Sequence, residues 1–287
     1  MTLLLRGRTY ADTDLLVMAI VNRTPDSFYD RGATYADDAA LAAVDRAVAD
    51  GADIVDIGGV KAGPGAAVDE AEEIARVVPF VRLVRERHPD LVISVDTWRA
   101  DVAAACLDAG ADIVNDAWGG VDPEVAQVAG RHGAALVCTH AGRQQPRTRP
   151  HRIGYHDVMR DVIEVTTGIA RQAVDAGVPP SSVLLDPGHD FGKNTYHSLE
   201  LTRRLPELVE QGFPVLVSLS NKDFVGETLD RPVPERLVGT LATTAVSAWL
   251  GAQVFRAHNV RETRDTLDMV ASIRGDRSPA VARRGLA

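Results

Sequence analysis

Three observations predict that this chain folds as a single-domain (β/α)8 barrel, the TIM-barrel class of α/β protein. Eight short apolar runs alternate with stretches of helical periodicity, at residues 15–21, 53–57, 92–95, 112–114, 134–138, 183–185, 215–219 and 253–255. A glycine, which readily adopts the left-handed conformation that ends a helix, precedes six of the seven later runs. The chain has 287 residues, enough for one barrel of ~250 residues with short extensions.

The first elements carry clear local signals. Residues 3–13 precede the first run, and we expect them to form a short strand or a plug across the bottom of the barrel. The helix before the third run begins with Glu70, Glu72 and Glu73, which complement the positive end of the helix dipole. The turn at residues 88–90, His-Pro-Asp, stops that helix. A strand, a helix and a second strand are therefore expected in this order.

Later helices have start and stop signals as well. Asp122, Pro123 and Glu124 provide an N-cap, a first-turn proline and an early acid. Residues 237–248 repeat an apolar pattern at helical spacing and end before Gly251. The main alternative architecture is an open doubly wound sheet. That fold usually has fewer strands, and no G-x-G-x-x-G motif follows the first run. The barrel is therefore favoured.

Charge and composition limit the class of function. The net charge is −9, which argues against a general nucleic-acid-binding protein. No apolar run approaches the ~20 residues that cross a bilayer, and the N-terminus lacks the pattern of a signal peptide. Cys106 and Cys138 lie in apolar segments and are interpreted as reduced core residues. We expect a cytoplasmic protein without a nucleic-acid or membrane partner, with a barrel over residues 1–274 and a loosely ordered tail over 275–287.

Polar side chains occupy the ends of the predicted strands, where barrels carry their active face. They are Asn22, Asp56, Asp96, Asn115, His140, Asp186, Ser220 with Lys222, and Arg256 with His258. Asp96, Asn115 and Asp186 present oxygen acceptors from three directions, which suits the N–H groups along the edge of a planar heterocycle. The alternative is that each of them caps the helix that follows. His140 has no partner that can be recognised in the sequence.

The last strands and the first loop suggest an anion site. Lys222, Arg256 and His258 follow the last two strands, where barrels frequently bind phosphate. The alternative is a set of solvated cations. Asn22 can supply an oxygen to Mg²⁺ that is shared with a pyrophosphate, or it can form an ordinary Asx turn. No arrangement of nucleophile and base stands out, so no catalytic residue is assigned.

Motifs along nearly the whole chain carry a resemblance to a known family. They lie at residues 21–28, 56–59, 64–66, 94–97, 115–116, 186–188, 191–193, 236–240, and at 256 with 258. In this order they resemble the blocks of dihydropteroate synthase, the folate-pathway member of the pterin-binding barrels. So many blocks in the right order are specific for that family.

The resemblance implies roles for the residues at the strand ends. A dihydropterin would be held by Asp96, Asn115, Asp186 and Lys222. Its pyrophosphate would be held by Asn22 with Mg²⁺, and by Arg256 with His258. The family's reaction displaces that pyrophosphate with the amine of p-aminobenzoate, and its members suggest that this chain forms a homodimer. The implied partner is thus a small pterin, or another small anionic ligand.

Three short segments depart from the family pattern. Residues 60–63 are Val, Lys, Ala and Gly where the family has an acidic-Ser-Thr-Arg run. The hydroxyl and the guanidinium that reach pyrophosphate and p-aminobenzoate are therefore missing. Residues 221–223 are Asn, Lys and Asp in place of Arg-Lys-Ser, and His189 with Asp190 replaces an apolar-Gly pair. A charge-assisted hydrogen bond contributes ~1.5–3 kcal/mol, so these losses predict a large fall in affinity or rate.

The sequence therefore predicts a dihydropteroate synthase-like scaffold, a divergent paralogue with weak or absent synthase activity that retains part of a pterin or anion pocket. One alternative is an active synthase in which Arg23, Lys61 or the arginines of residues 143–152 restore the lost charge. A second is a pterin-binding methyltransferase with a corrinoid protein partner. A third is a non-enzymatic binding or regulatory protein. Long loops at residues 22–38, 58–69 and 143–152 are expected to cover the ligand.

Overall fold

A computed structural model describes residues 2–23, 37–142, 144–148 and 154–285 of the chain. The strands are β1 (Leu3–Leu5), β2 (Arg8–Tyr10), β3 (Leu16–Asn22), β4 (Ile54–Gly58), β5 (Val92–Asp96), β6 (Ile113–Asp116), β7 (Ala135–Thr139), β8 (Val183–Asp186), β9 (Leu216–Ser218) and β10 (Val254–Ala257). The helices are α1 (Asp37–Ala49), α2 (Glu70–Arg87), α3 (Ala100–Asp108), α4 (Glu124–His132), α5 (Val158–Asp175), α6 (Thr195–Arg203), α7 (Leu205–Val209), α8 (Asp223–Leu229), α9 (Leu237–Trp249) and α10 (Val260–Arg274).

Strands β3 to β10 form one parallel sheet that closes on itself. Its order is β8-β7-β6-β5-β4-β3-β10-β9, and every neighbouring pair within it is parallel. The two edges meet where Leu185 bridges to Val215 and donates its backbone N–H to the carbonyl of Pro214 at 2.9 Å. The predicted (β/α)8 barrel is therefore confirmed.

The bottom of the barrel is filled by apolar side chains and by the N-terminal segment. Residues 3–13 contain two strands, β1 and β2, which pair antiparallel with Leu3 opposite Tyr10. Leu3 and Leu5 are fully buried against inward-facing residues of the barrel strands, among them Leu16 and Ile54. The expected plug is thus a hairpin, and it lies away from the strand ends that carry the polar residues.

The eight barrel strands match the predicted runs with small shifts. Asp96 and Asp186 end their strands as predicted, and Asn22, expected to open the first loop, is the last residue of β3. The backbone of such a residue can pair within the sheet while its side chain reaches the active face. Helix α2 begins at Glu70, as expected, after Asp69, whose carboxylate accepts the N–H of Glu72 at 2.8 Å.

Helix α4 begins one residue later than its signal suggested. Pro123 occupies the N-cap position, and the helix starts at Glu124. The carboxylate of Asp122 nevertheless accepts the N–H of Glu124 at 3.0 Å, and its second oxygen accepts the N–H of Ala100 at 2.9 Å. One acid therefore supports the start of two neighbouring helices.

Several predicted segments lie partly or wholly outside the described residues. These are residues 24–36 of the first loop and, in the loop after β7, Arg143 and residues 149–153. After α10, residues 275–285 form no helix or strand and are exposed, so the loose order predicted for the tail stays a prediction. Within the described part of the chain, no helix has the length and apolar character needed to span a membrane.

Candidate functional site

A cavity of about 430 Å³ lies at the carboxyl ends of the barrel strands. Its size falls within the range that holds a small ligand. All seven residues predicted to bind the pterin, its pyrophosphate or a metal line this cavity: Asn22, Asp96, Asn115, Asp186, Lys222, Arg256 and His258. The fold therefore brings them together from six different strands or strand-following loops. The individual roles assigned to them stay predictions.

The floor of the cavity is an ion-pair cluster centred on Arg256. Its Nε donates to Oδ2 of Asp56 at 2.6 Å, and its Nη2 donates to Oδ2 of Asp96 at 2.9 Å. Enclosure in the barrel raises the pKa of Asp96 to about 7, an effect that the Arg256 guanidinium opposes and the Asp56 carboxylate increases. A pyrophosphate bound by Arg256 would therefore share this guanidinium with two carboxylates.

Asp56, one of the predicted strand-end polar residues but one without an assigned role, organises this floor. Its side chain has no exposure to solvent. Besides Arg256 it accepts the Ser94 hydroxyl at 2.6 Å and Nδ2 of Asn115 at 3.1 Å. This contact fixes the direction in which the Asn115 carboxamide faces. The available signal was an acid in the middle of an apolar run, because burying an unpaired carboxylate in a strand is costly.

The opposite wall carries an acid, a cation and an aromatic ring. Oδ1 of Asp186 accepts the N–H of Gly188 at 2.7 Å. Burial raises the pKa of Asp186, while that N–H and the ammonium of Lys222 oppose the rise. The Lys222 ammonium lies 4.4 Å from the centre of the Phe191 ring, and burial lowers its pKa. A flat heterocycle with both donors and acceptors fits between such groups.

His258 is oriented by a neighbouring hydroxyl. Oγ of Ser220 accepts the backbone N–H of His258 at 3.2 Å and lies 3.0 Å from its Nδ1. Because the hydroxyl already accepts one hydrogen bond, it can donate its own proton to Nδ1. This arrangement places the ring proton on Nε2 when the imidazole is neutral.

The loop after β4 borders the cavity with the altered residues. Residues 60–63 all line it, and among them only Lys61 carries a charge. Arg147, from the loop after β7, donates to the carbonyls of Gly63 at 3.3 Å and Ala66 at 2.7 Å, which ties the two loops together. Arg23 pairs with Asp37 and does not line the cavity, so it does not replace the missing guanidinium there.

The guanidinium nearest the segment after β9, that of Arg236, does not line the cavity. Asp223 accepts from Nη1 of Arg236 at 3.0 Å, and the same guanidinium nitrogen donates to the carbonyl of Asn221 at 2.9 Å. Asn221 has a left-handed backbone, with φ of 57°, and only 4% of its surface is exposed. Its Nδ2 has no hydrogen-bond partner among the described residues. The charge of Arg236 is thus engaged within the protein.

His140, for which the sequence shows no recognisable partner, is bonded through both ring nitrogens. Its Nε2 lies 2.7 Å from Oδ2 of Asp161, and its Nδ1 lies 2.7 Å from Nζ of Lys193. Both partners are distant in sequence, one on α5 and one in the loop after β8, so no local pattern announced them. Burial lowers the pKa of His140 to about 4, and the neutral ring accepts from Lys193 and donates to Asp161. Lys193 lines the cavity.

Comparisons with known proteins agree with this geometry. The family model described as pterin binding enzyme matches residues 18–258. A protein from Mycobacterium leprae named inactive dihydropteroate synthase 2 is 58% identical over 99% of each chain. The dihydropteroate synthase of Bacillus subtilis is 40% identical over 86% of this chain and 84% of its own. Among solved structures, a Yersinia pestis dihydropteroate synthase with a sulfonamide drug complex has a TM-score of 0.90 and 36% identity, covering 96% of this chain and all of that one.

Proposed function

This chain belongs to the pterin-binding enzyme family, and we propose that within it the protein is a dihydropteroate synthase-like paralogue with weak or absent synthase activity. Part of the pocket for a pterin is retained. The loop over residues 60–63, which the resemblance places beside the pyrophosphate and the second substrate, offers Lys61 but no hydroxyl or guanidinium.

One contrast within the cavity supports this proposal. Its inner wall is lined by Asp96, Asn115, Asp186 and Lys222, the residues that the resemblance assigns to the pterin. Its outer wall has no hydroxyl or guanidinium among residues 60–63. The relatives named inactive dihydropteroate synthase 2 are more similar to this chain, at 57–58% identity, than the Bacillus subtilis synthase at 40%.

A pyrophosphate-release assay tests the proposal. The protein is incubated with hydroxymethyl-dihydropterin pyrophosphate, Mg²⁺ and p-aminobenzoate, and the Bacillus subtilis synthase serves as the active control. Losing two charge-assisted hydrogen bonds predicts a rate about 10²- to 10⁴-fold below that control. Sustained release within about tenfold of the control would show that the loops have been rebuilt for catalysis. That result would favour the active synthase.

Binding without turnover is the second candidate function, and the intact inner wall favours it. A regulatory or storage role requires the pterin site and no second substrate. It predicts stoichiometric binding of the pterin with no product in the same assay. This outcome separates a binding protein from a slow enzyme, which forms measurable dihydropteroate over long incubation.

We further propose that Mg²⁺ enters the cavity only with a diphosphate-bearing ligand. Asn22 lines the cavity and offers a neutral oxygen, and Mg²⁺ usually combines one or two protein ligands with substrate phosphates. The described residues contain no cluster of three His, Cys, Asp or Glu that would hold the ion alone. Calorimetry should therefore detect no Mg²⁺ binding by the protein alone. Asn22→Ala should weaken the diphosphate ester in Mg²⁺ while leaving hydroxymethylpterin unaffected.

A homodimer and a cytoplasmic location complete the proposal. Two adjacent helices expose apolar side chains, with Val238, Val246 and Trp249 on α9 and Met269 and Ile273 on α10. Contiguous exposed apolar residues of this kind suit an interface, and a second copy is the partner that the family suggests. Both cysteines are free and buried, as in proteins of a reducing compartment.

A further inference from the structure

Asp190 places a carboxylate in the part of the cavity that is also lined by Asn221, Asp223 and Glu227, which is called the outer end here. It lies in the loop after β8 with a φ of 67° and lines the cavity. Its Oδ2 accepts the N–H of Asp223 at 2.6 Å and that of Phe224 at 3.3 Å, and its Oδ1 accepts the Ser198 hydroxyl at 3.1 Å. Burial raises the pKa of Asp190, while the Lys222 ammonium and these hydrogen-bond donors oppose the rise and favour the ionised carboxylate. The backbone N–H groups of Asp223 and Phe224 are thus already occupied by the Asp190 carboxylate.

Two more acids line the same end, and the nearby cations are engaged. Asp223 and Glu227 both border the cavity, and the Thr195 hydroxyl donates to Glu227. Arg236 is paired with Asp223, as described above. Lys222 has its ammonium over the Phe191 ring, and its charge is balanced first by Asp190 and then by Asp186. A second anion brought to this end would meet like charges and find few donors, and like charges at short range repel strongly in an enclosed site.

One donor in this region lacks an acceptor. The Nδ2 of Asn221 is buried and has no partner among the described residues, and the residue lines the cavity. A buried amide donor without an acceptor is costly. As it stands this nitrogen is closed off from the cavity, and a ligand with a neutral oxygen would satisfy it only after the Asn221 side chain turns toward the ligand. An uncharged amide offers such an oxygen together with N–H donors for the surrounding carboxylates.

We propose that the outer end of the cavity selects an uncharged, amide-like group over a carboxylate, and that Asp190 is the residue that determines this preference. The inference rests on the proposed function, because it assumes a pterin at the inner end. It assigns a different class of second ligand, a neutral amide in place of an aminobenzoate.

A competition between two matched probes tests the proposal on the unmodified protein. The protein is saturated with hydroxymethylpterin and titrated with p-aminobenzoate or with p-aminobenzamide, which differ only in the charged group. We expect the amide to bind about tenfold more tightly, a difference of one decade in Kd. Equal affinities, or tighter binding of the carboxylate, overturn the proposal.

Variants then locate the preference. Asn caps a helix as well as Asp does and tolerates a positive φ, so Asp190→Asn removes the charge and keeps the local geometry. It should bring the ratio of the two dissociation constants to about one, mainly because p-aminobenzoate binds more tightly. Asp223→Asn is a second variant of the same end. Asp101→Asn, on the exposed side of α3, is the matched control and should leave the ratio unchanged.

The inference about Asp190 and the proposed function fail under different results. If hydroxymethylpterin itself does not bind, the proposed function is wrong. If it binds and the wild-type ratio is one, or if Asp190→Asn leaves a wild-type preference intact, the assignment of Asp190 is wrong and the proposed function stands.

Discussion

At the scale of single residues, burying the charged groups on the floor of the cavity lowers the stability of the fold. Arg256 compensates Asp56 and Asp96, and a buried carboxylate without such a partner costs several kcal/mol. Asp96 remains 20% exposed toward the cavity, where a ligand can reach it. Retaining two acids here is hard to explain by stability alone, since apolar residues of similar size are often as stable. The proposed binding role would explain them.

The raised pKa of Asp96 predicts a pH dependence of stability. An ordinary Asp titrates near ~3.9. In the folded protein the pKa of Asp96 is raised to about 7. The folded state therefore binds more protons than the unfolded state between these values, and the free energy of unfolding should fall as pH rises through this window. Asp96→Asn removes this contribution and should flatten the decline in urea unfolding.

Two comparisons make that measurement specific. Asp116, whose pKa burial raises to about 6, keeps its own contribution in the variant, so the decline shrinks without vanishing. Asp101→Asn, an exposed acid, should retain the wild-type slope. Parallel curves for Asp96→Asn and the wild type would contradict the account of the floor.

At the scale of elements, the ammonium group of Lys193 is one of the contacts that hold the loop after β8 against the barrel. Nζ of Lys193 lies within 2.7 Å of Nδ1 of His140 and donates to the carbonyls of Gly188 at 2.9 Å and Phe191 at 2.8 Å. Because this loop carries Phe191 and begins directly after Asp186, its position shapes the inner wall of the cavity.

Replacing this ammonium should loosen the loop. Lys193→Met leaves buried carbonyls without a donor, so we expect a loss of roughly 2–4 kcal/mol in the free energy of unfolding. Hydrogen exchange of residues 187–194 should become faster, and hydroxymethylpterin should bind more weakly. Arg203→Met, which removes an exposed cation on neighbouring α6, should change stability by less than ~0.5 kcal/mol. Unchanged exchange in the Lys193 variant contradicts this role.

The elements also show what the sequence could predict. Strand positions were predictable because glycine turns and apolar runs are local signals, and the strand-end residues followed from the barrel geometry. The partners of His140 were not, since Asp161 and Lys193 meet it only through tertiary packing. The engagement of Arg236 with Asp223, and the unpartnered amide of Asn221, depend on loop conformations that no periodicity encodes.

At the scale of the whole molecule, the closed bottom, the cavity and the exposed apolar face lie on different parts of the barrel. The β1–β2 hairpin closes the bottom with buried leucines, the cavity occupies the top, and the apolar face of α9 and α10 lies on the outside. A change on that outer face should therefore alter assembly without altering the cavity.

Light scattering after size-exclusion chromatography tests the assembly. We expect the wild type to have twice the mass of the chain, and Trp249→Lys to be a monomer, because the 59% exposed indole is the largest of the exposed apolar side chains on α9 and α10. Leu83→Lys, on the distant helix α2, is the matched control and should remain a dimer. A monomeric wild type at micromolar concentration, or a dimeric Trp249 variant, would show that this face is not the interface.

The central claim is that the inner wall still binds a pterin, and a calorimetric titration with hydroxymethylpterin tests it most directly. We expect saturable binding to the wild type and about 10- to 100-fold weaker binding to Asp186→Asn, since a hydrogen bond to a charged group contributes ~1.5–3 kcal/mol. Circular dichroism confirms that the variant is folded. Absence of binding to the wild type, or equal binding by the two proteins, would contradict the account.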